Sequence, residues 1–444
     1  MASVLSILLI ILSLLTTVSV LAWIFIWMHW ARPWDCWPVG DAVPPPPGPE
    51  NAWPAVAILV PARNEAASLP RTLPALLSQD YPGEFGVIVI DDRSEDGTAD
   101  VARKIAADRG KQDRLQVLIG APLPDGWVGK VWALQQGAQQ ALGSLGRLEA
   151  WGLRPEIQQS EAAPQASSLK PQVSIEPAFF LLTDADILHA PGSLRRLVAE
   201  SSAAKLGLNS RMARLRCISE AEKLLIPAFL FFFNLMYPMR RVNERSDKLA
   251  AAAGGCVLLS REALLKLGGG FEPIKSEIID DVNLARQVKS RGEAIALSLS
   301  QSEVVSLREY PHVGDIWKMV RRTAFTELKY SWLRLFGAIS GLKLMFVLPL
   351  FSVICGAAGV GWGLFASEGP VIAYGLWAMT KGLLALAITG HVYRPTTRFF
   401  GLPVFYAFTL PLAGVLYACM TFDSALRHAR GKGVQWRDKS ARQS

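Results

Sequence analysis

The run Phe179-Phe180-Leu181-Leu182-Thr183 ends in Asp184-Ala185-Asp186, two carboxylates one residue apart at the end of an apolar stretch of strand length. In open α/β sheets ligands bind outside the carboxyl ends of the strands, and a hard divalent cation such as Mg2+ is held by one or two carboxylates together with substrate phosphates. The spacing points to a metal-diphosphate site. The competing reading is a turn in which Asp184 and Asp186 cap a helix near 191–197. A second acidic pair, Asp280-Asp281, opens a helical pattern carrying Val282, Ala285 and Val288. A carboxylate there is stabilised by the exposed amides of the first turn, but capping needs only one of the two, which leaves the other for proton transfer. Lys130 follows Gly129 at another helix start, where a cation beside free amides suits a phosphate or nucleotide edge; a solvated turn lysine is the alternative.

The surrounding pattern supplies the elements to position these groups. A β-rich run at 55–60 stops at Pro61, and Leu69, Leu73, Leu76 and Leu77 then recur at helical spacing. The run 86–90 ends in Asp91-Asp92, and a helix after Thr98 carries Val101 and Ile105. A third strand is expected at 115–119, followed by a helix through Ala133, Leu134 and Gly137. This repetition predicts an α/β fold with a mainly parallel, Rossmann-like sheet. Residues 211–216 read as a basic strand. Gly254-Gly255 precede a strand at 256–259, where close backbone approach to a ligand and an ordinary bulge both account for the glycines. Residues 143–177 turn to Gln, Ser, Glu, Ala and Pro without apolar period, which predicts a flexible, dispensable insertion.

Of the 444 residues 51% are hydrophobic, and a mean hydropathy of +0.25 implies membrane segments. Residues 1–30 contain no Asp, Glu, Lys or Arg and lead into Trp34 and Trp37, so they read as a transmembrane anchor rather than a cleaved signal peptide. A stiff linker with Pro44 to Pro47 follows at 31–54, then a catalytic domain at 55–325, a C-terminal transmembrane region at 326–422 and a basic tail at 423–444. Within that region 344–365 and 402–422 are uncharged and of spanning length, whereas 371–388 carries Lys381 and is the weakest candidate. The residues 224–238, interrupted by Pro227, are expected to lie at the membrane interface, with a buried core helix as the alternative. The amphipathic, cationic segment 316–323 suits either the membrane surface or closure over a diphosphate. A net charge of +8 without basic runs interleaved with stacking aromatics argues for an anionic membrane face and against nucleic acid. Five scattered cysteines without metal-type pairing argue against a disulfide framework and a zinc site.

These motifs together resemble the family-two inverting glycosyltransferases: Val-Pro-Ala-Arg-Asn-Glu at 60–65, Asp91-Asp92 with Ser94, Asp96-Gly97-Thr98, Gly129-Lys130 with Ala133-Leu134, Asp184-Ala185-Asp186, and Asp280-Asp281 with Leu284 and Arg286. Within that family the chain is most similar to the membrane-bound hopene-associated glycosyltransferases, through Gly126-Trp127 with 130–134, 224–238 and Asp315-Ile316-Trp317. The resemblance implies a nucleotide-diphosphate-sugar transferase fold with a nucleotide-diphosphate-sugar donor and a divalent cation, Mg2+ or Mn2+. Carried over by motif, Pro61, Arg63 and Glu65 line the nucleotide pocket, Asp92 meets the base or ribose, and Lys130 lies near the nucleotide. Asp184 sits by the sugar-ribose side, Asp186 binds the metal, and Asp281 is the catalytic base.

One departure matters. Processive relatives carry Gln-x-x-Arg-Trp after the base, and the nearest match here, 318–322, lacks both Gln and Trp. Single transfer to a lipid acceptor, hopanoid or another polyisoprenoid type, is therefore expected over polymer export, with Arg321 or Arg322 as diphosphate contacts. The implied location is a bacterial inner membrane with the catalytic domain in the cytoplasm. A nucleotidyltransferase on the same fold lacks an obvious triphosphate loop, and a degenerate scaffold leaves three intact acidic sites without a role.

Overall fold

The computed structural model describes residues 2–36, 53–143, 176–431, 435–436 and 439–440. Most of the expected linker, most of the expected insertion and much of the basic tail lie outside the described residues. The chain divides into two compact units. Cys217–Arg240 and Tyr310–Lys432 group with the N-terminal Met1–Cys36, a division that composition does not mark.

In the α/β unit, β1 (Val56–Ala62), β2 (Phe85–Asp91), β3 (Leu115–Ile119), β4 (Phe179–Thr183), β6 (Leu206–Met212), β7 (Cys256–Ser260) and β8 (Ala294–Leu299) form one sheet. Its order is β3-β2-β1-β4-β7-β6-β8. The β3-β2-β1-β4 half is parallel, as the repetition predicts. β7 runs antiparallel to both neighbours, while β8 returns parallel to β6. Beta-branched and leucine runs suit strands covered on both faces, and every residue of β1, β2 and β4 is buried. One side packs under α2 (Leu69–Leu77), α3 (Thr98–Asp108) and α5 (Ser193–Ala204), with Leu73, Leu76, Ala102, Leu194 and Leu197 closing on Ile58, Val87 and Leu181. On the other, α4 (Gly129–Ala141) lies so close to the sheet that a Cβ on Gly137 would fall 2.8 Å from Ile90 Cδ1.

Several local expectations are corrected. β1 does not stop at Pro61 but runs to Ala62. Its pairing with β4 ends at Leu59, so a residue without an amide hydrogen costs that ladder little. The basic strand expected at 211–216 is instead 206–212, and Arg211 is buried between Glu200 and Glu303 rather than presented to a partner. A short ribbon, β5 (Ile187–His189) with β9 (Val304–Ser306), has too few residues to announce itself by alternation. α7 (Asp280–Ser290) begins at the acidic pair, as expected.

The other unit is helical. Among the described residues three helices are long and apolar enough to cross a membrane: α1 (Ala2–Met28), α9 (Trp332–Ala366) and α10 (Gly369–Phe399). The span expected at 402–422 is broken instead into a 3-10 turn, Val404–Phe408, and α11 (Leu410–Ala429), which carries Asp423 and Arg427. The stretch at 371–388, taken as the weakest span, is the middle of α10. Lys381 does not disqualify it because its ammonium donates to Ser13 Oγ of α1 at 3.0 Å. Glycines let α9 and α10 touch backbone to backbone: a Cβ on Gly356 would stand 2.6 Å from Gly375 O. The segment at 224–238, expected at the interface, belongs to α6 (Glu220–Met236). α6 is opened by a Ser219–Glu222 capping box, and its buried Phe231 rests against Trp23 and Tyr393. The cationic segment at 316–323 lies in α8 (Val313–Glu327), fastened to α11 through Trp317 Nε1 and Asp423 at 2.8 Å.

Candidate active site

The parallel strands β1, β2 and β4 end side by side, and their carboxyl ends carry Pro61, Asp91-Asp92 and Asp184. Beyond β1 the chain turns through Arg63 and Asn64, and beyond β2 through Arg93, with Asn64 and Arg93 in left-handed backbone at φ 53° and 55°. The two turns are laced together. Asn64 N donates to Ser94 Oγ, Glu95 N to Asn64 Oδ1, Glu65 N to Thr98 Oγ1 and Ala66 N to Asp96 Oδ2. Arg63 reaches across them to Asp92 at 3.4 Å. Glu65 accepts from Ser68 Oγ at 2.7 Å, which places its carboxylate over the start of α2. The result is a rigid polar rim of alternating donors and acceptors.

Beside it, Lys130 at the start of α4 points at two carboxylates from different elements. Its Nζ lies 2.9 Å from Asp184 Oδ1 and 3.3 Å from Asp280 Oδ2. Asp281, the neighbour of Asp280 on α7, accepts from Gly254 N at 2.7 Å and Val282 N at 2.8 Å. Gly254 lets the backbone approach closely: a Cβ would stand 3.1 Å from Lys130 Nζ and 3.3 Å from Asp281 Oδ2, so both side chains would have to shift. Asp186 lies 3.8 Å from Arg308, and Leu307 N donates to its carbonyl.

Burial sets the charge states. Desolvation and the charge of Asp280 push the Asp281 carboxyl up to about 7, although Lys130 and the two backbone amides pull the other way. Burial works to lower Lys130, but Asp184 and Asp280 outweigh it and hold the ammonium charged well above its usual range. The site thus pairs a permanent cation with a carboxyl able to gain or lose a proton near neutrality.

The structure brings Lys130, Asp184 and Asp281 together and sets Arg63 against Asp92. Arg321 and Arg322 belong to the helical unit, where Arg321 pairs with Asp423 at 3.3 Å and Arg322 lies on the same helix. The residue preceding α7 is Ile279, which has no side-chain cap; of the acidic pair it is Asp281 that takes a first-turn amide, Val282 N, while Asp280 lies against Lys130. Sequence reasoning missed Asp280 as a lysine partner and Arg308 altogether; a lone arginine in an irregular stretch gives no pattern. The doubled glycine at 254–255 was the available signal for the amide that holds Asp281.

Among the described residues no three or more His, Cys, Asp or Glu side chains gather as a ready-made metal cage. The acidic pair at 184 and 186 fits a hard cation that takes one protein carboxylate and completes its shell with substrate phosphates.

A profile described as glycosyltransferase like family 2 matches residues 54–326, well over half the chain. The chain belongs to this family. The family-two glycosyltransferase assignment accounts for the GT-A fold, the nucleotide-sugar transferase architecture whose mostly parallel sheet is described above. Glycosyltransferase AglE of Haloferax volcanii is 33% identical over 93 residues, which is 21% of this chain and 28% of AglE. The probable glycosyltransferase YdaM of Bacillus subtilis is 32% identical over 93 residues, 21% of each chain. The aligned stretches thus span about a quarter of these relatives. Among solved structures, mannosyltransferase PcManGT from Pyrobaculum calidifontis, in complex with GDP-Man and Mn2+, is similar over 98% of this chain and 100% of its own, with 18% identity and a TM-score of 0.46.

Proposed function

We propose that this family-two glycosyltransferase is an integral membrane enzyme that moves a sugar from a nucleotide-diphosphate-sugar to the hydroxyl of a lipid, with inversion at the anomeric carbon. One observation carries the reading: a carboxyl raised to about 7, Asp281, stands beside the Lys130 cation that grips Asp184 at the end of β4. A base works best when its pKa lies near the working pH, and Asp281 meets that requirement through burial and a like-charged neighbour.

In this reading the laced rim of Pro61, Arg63, Glu65 and Asp92 receives the nucleoside, and Lys130 is drawn from its carboxylates toward the diphosphate. Asp184 orients the ribose and sugar. Asp281 takes the proton from the acceptor hydroxyl as its oxygen bonds to the anomeric carbon, and the bond from that carbon to the diphosphate oxygen breaks on the opposite face. Asp186 would hold a divalent cation, Mg2+ or Mn2+, which neutralises charge on the leaving diphosphate. Arg321 is taken up by Asp423, and no step is assigned to it or to Arg322.

The lipid acceptor is supported by the three membrane-length helices carried on the same chain. A hopanoid or other polyisoprenoid acceptor rests on the family resemblance alone, as does placement of the catalytic unit on the cytoplasmic side of a bacterial inner membrane. The test is to incubate membranes containing the protein with a panel of labelled nucleotide-sugars and to follow label into extracted lipid. Label in lipid supports the reading. Formation of nucleotide-sugar and pyrophosphate from a nucleoside triphosphate and a sugar 1-phosphate in a parallel incubation supports nucleotidyl transfer, and no product in either incubation supports a scaffold.

A further inference from the structure

Behind the acidic turn runs a buried polar chain that the mechanism above leaves unused. Thr183, the last residue of β4 and the one before Asp184, is 1% exposed, and its hydroxyl donates to Gly255 O at 2.9 Å. That commits its only hydrogen, so the 2.8 Å contact with His189 Nε2 requires His189 to donate. His189 is equally buried, and burial pushes its imidazole down to about 4, so the ring is neutral with its proton on Nε2. With the proton on Nε2 its Nδ1 can only accept, so Ser193 Oγ, 3.3 Å from Nδ1 and 3.1 Å from Gln79 Oε1, divides its one hydrogen between them. The chain begins beside the end of α2, crosses the start of α5 and β5, and ends on the Gly254–Gly255 segment.

That segment connects the two halves of the site. The amide of Gly254 donates to Asp281 at 2.7 Å, while the carbonyl of Gly255 is held by Thr183. We propose that Thr183 and His189 are positioning residues: they fix the Gly254–Gly255 segment against the end of β4 and so set the register between the base, Asp281, and the donor-side carboxylate, Asp184. Neither touches substrate. This rests on the proposed transferase reading, since it assigns the segment a task only if Asp281 is the base. A buried threonine hydroxyl between a carbonyl and an imidazole is also what an ordinary well-packed core requires, so the test must separate positioning from packing.

Thr183→Val keeps the shape and removes the hydroxyl, whereas Thr183→Ser keeps the hydroxyl. Displacing a reacting group by an ångström or so costs about 10²-fold, so Thr183→Val is expected to lower turnover roughly 10- to 100-fold with donor affinity changed less than about twofold. Loosening the Gly254 amide removes a bond that favours the ionised carboxylate, so the acidic limb of the rate profile is expected to move up by about one pH unit. Thr183→Ser should restore most of the rate and return the limb, and His189→Met, which leaves Thr183 Oγ without that donor, should reproduce the shift in weaker form if Thr183→Val fails to fold. Unchanged turnover and limb in the folded variants, or a rate loss that the serine does not rescue, overturns the proposal. A substrate-free arm distinguishes its failure from failure of the transferase reading. In a double-mutant cycle on thermal unfolding, Thr183→Val is expected to cost less in an Asp281→Ala background, which has no acceptor for Gly254 N, than in the wild type. Strictly additive effects overturn the linkage whatever the enzyme transfers.

Discussion

The ammonium of Lys130 lies 2.9 Å from Oδ1 of Asp184, so the start of α4 and the end of β4 are joined by one partly buried cation. The same cation is 3.3 Å from Asp280 and opposes the rise in the pKa of Asp281. Lys130→Met should therefore do two things at once. Loss of a charge-assisted contact to the diphosphate is expected to weaken donor binding roughly 10- to 100-fold. The acidic limb of turnover should also move to higher pH, because a charge that favoured ionised Asp281 is gone. Calorimetric titration with nucleotide-sugar and a pH series of turnover read the two effects separately; an unmoved limb would remove Lys130 from the base's environment.

In the wild type the sign of the pH dependence follows from the direction of the Asp281 shift. The carboxyl is raised to about 7 and must be ionised to act as base, so turnover at saturating donor should be full above that value and fall about tenfold per unit below it. An unshifted aspartate would keep the rate flat down to about pH 5. Rate profiles between about pH 5 and 9 decide between them.

Asp186→Ala is expected to abolish the dependence of donor binding on Mg2+ or Mn2+. Hard oxygen ligands around a diphosphate-bound cation are few, and a neutral water replaces the carboxylate's ligation but not its charge. Metal titrations of nucleotide-sugar binding in the variant check this. Retained dependence would place the cation elsewhere.

If α9 and α10 both cross the membrane, the chain after α10 returns to the side from which α9 started. Arg394 and Arg398 at the end of α10 and the basic cluster from Arg427 then face one compartment, which the positive-inside rule makes the cytosol. A cysteine placed in the tail should stay unlabelled by an impermeant reagent in intact cells and react after permeabilisation. Labelling in intact cells would contradict this arrangement.

Much of the α/β unit was legible because β1, β2 and β4 are buried on both faces and so appear as continuous apolar runs; β3, only partly buried, also falls at Leu115–Ile119, as read. The acidic end of β4 was legible for the same reason: packing alone does not call for two carboxylates where a buried hydrophobic run stops. What the sequence hid were relations between distant segments. Which member of the acidic pair would take the helix amides was not legible, because local rules know nothing of Lys130, which stands far earlier in the chain and is brought to Asp280 only by the fold. Lys381 looked disqualifying in a span because hydropathy counts a charge without knowing that Ser13 receives it. The 402–422 stretch looked like a span because apolar composition does not report the break at Val404–Phe408. β5 and β9 were invisible because three residues carry no period.

The central claim, that Asp281 is the base of a sugar transfer, is tested most directly by Asp281→Asn with donor binding and turnover measured on the same preparation. Asn keeps the shape and one oxygen, enough for Gly254 N or Val282 N but not both, and cannot take the acceptor's proton, and general-base catalysis is worth about 10²–10⁴-fold. The account predicts nucleotide-sugar affinity within about threefold of wild type and turnover reduced by that factor, with Asp280→Asn costing less. Turnover near the wild-type rate in a variant that binds donor normally would contradict it and move the search for the base to Asp280 or Glu277.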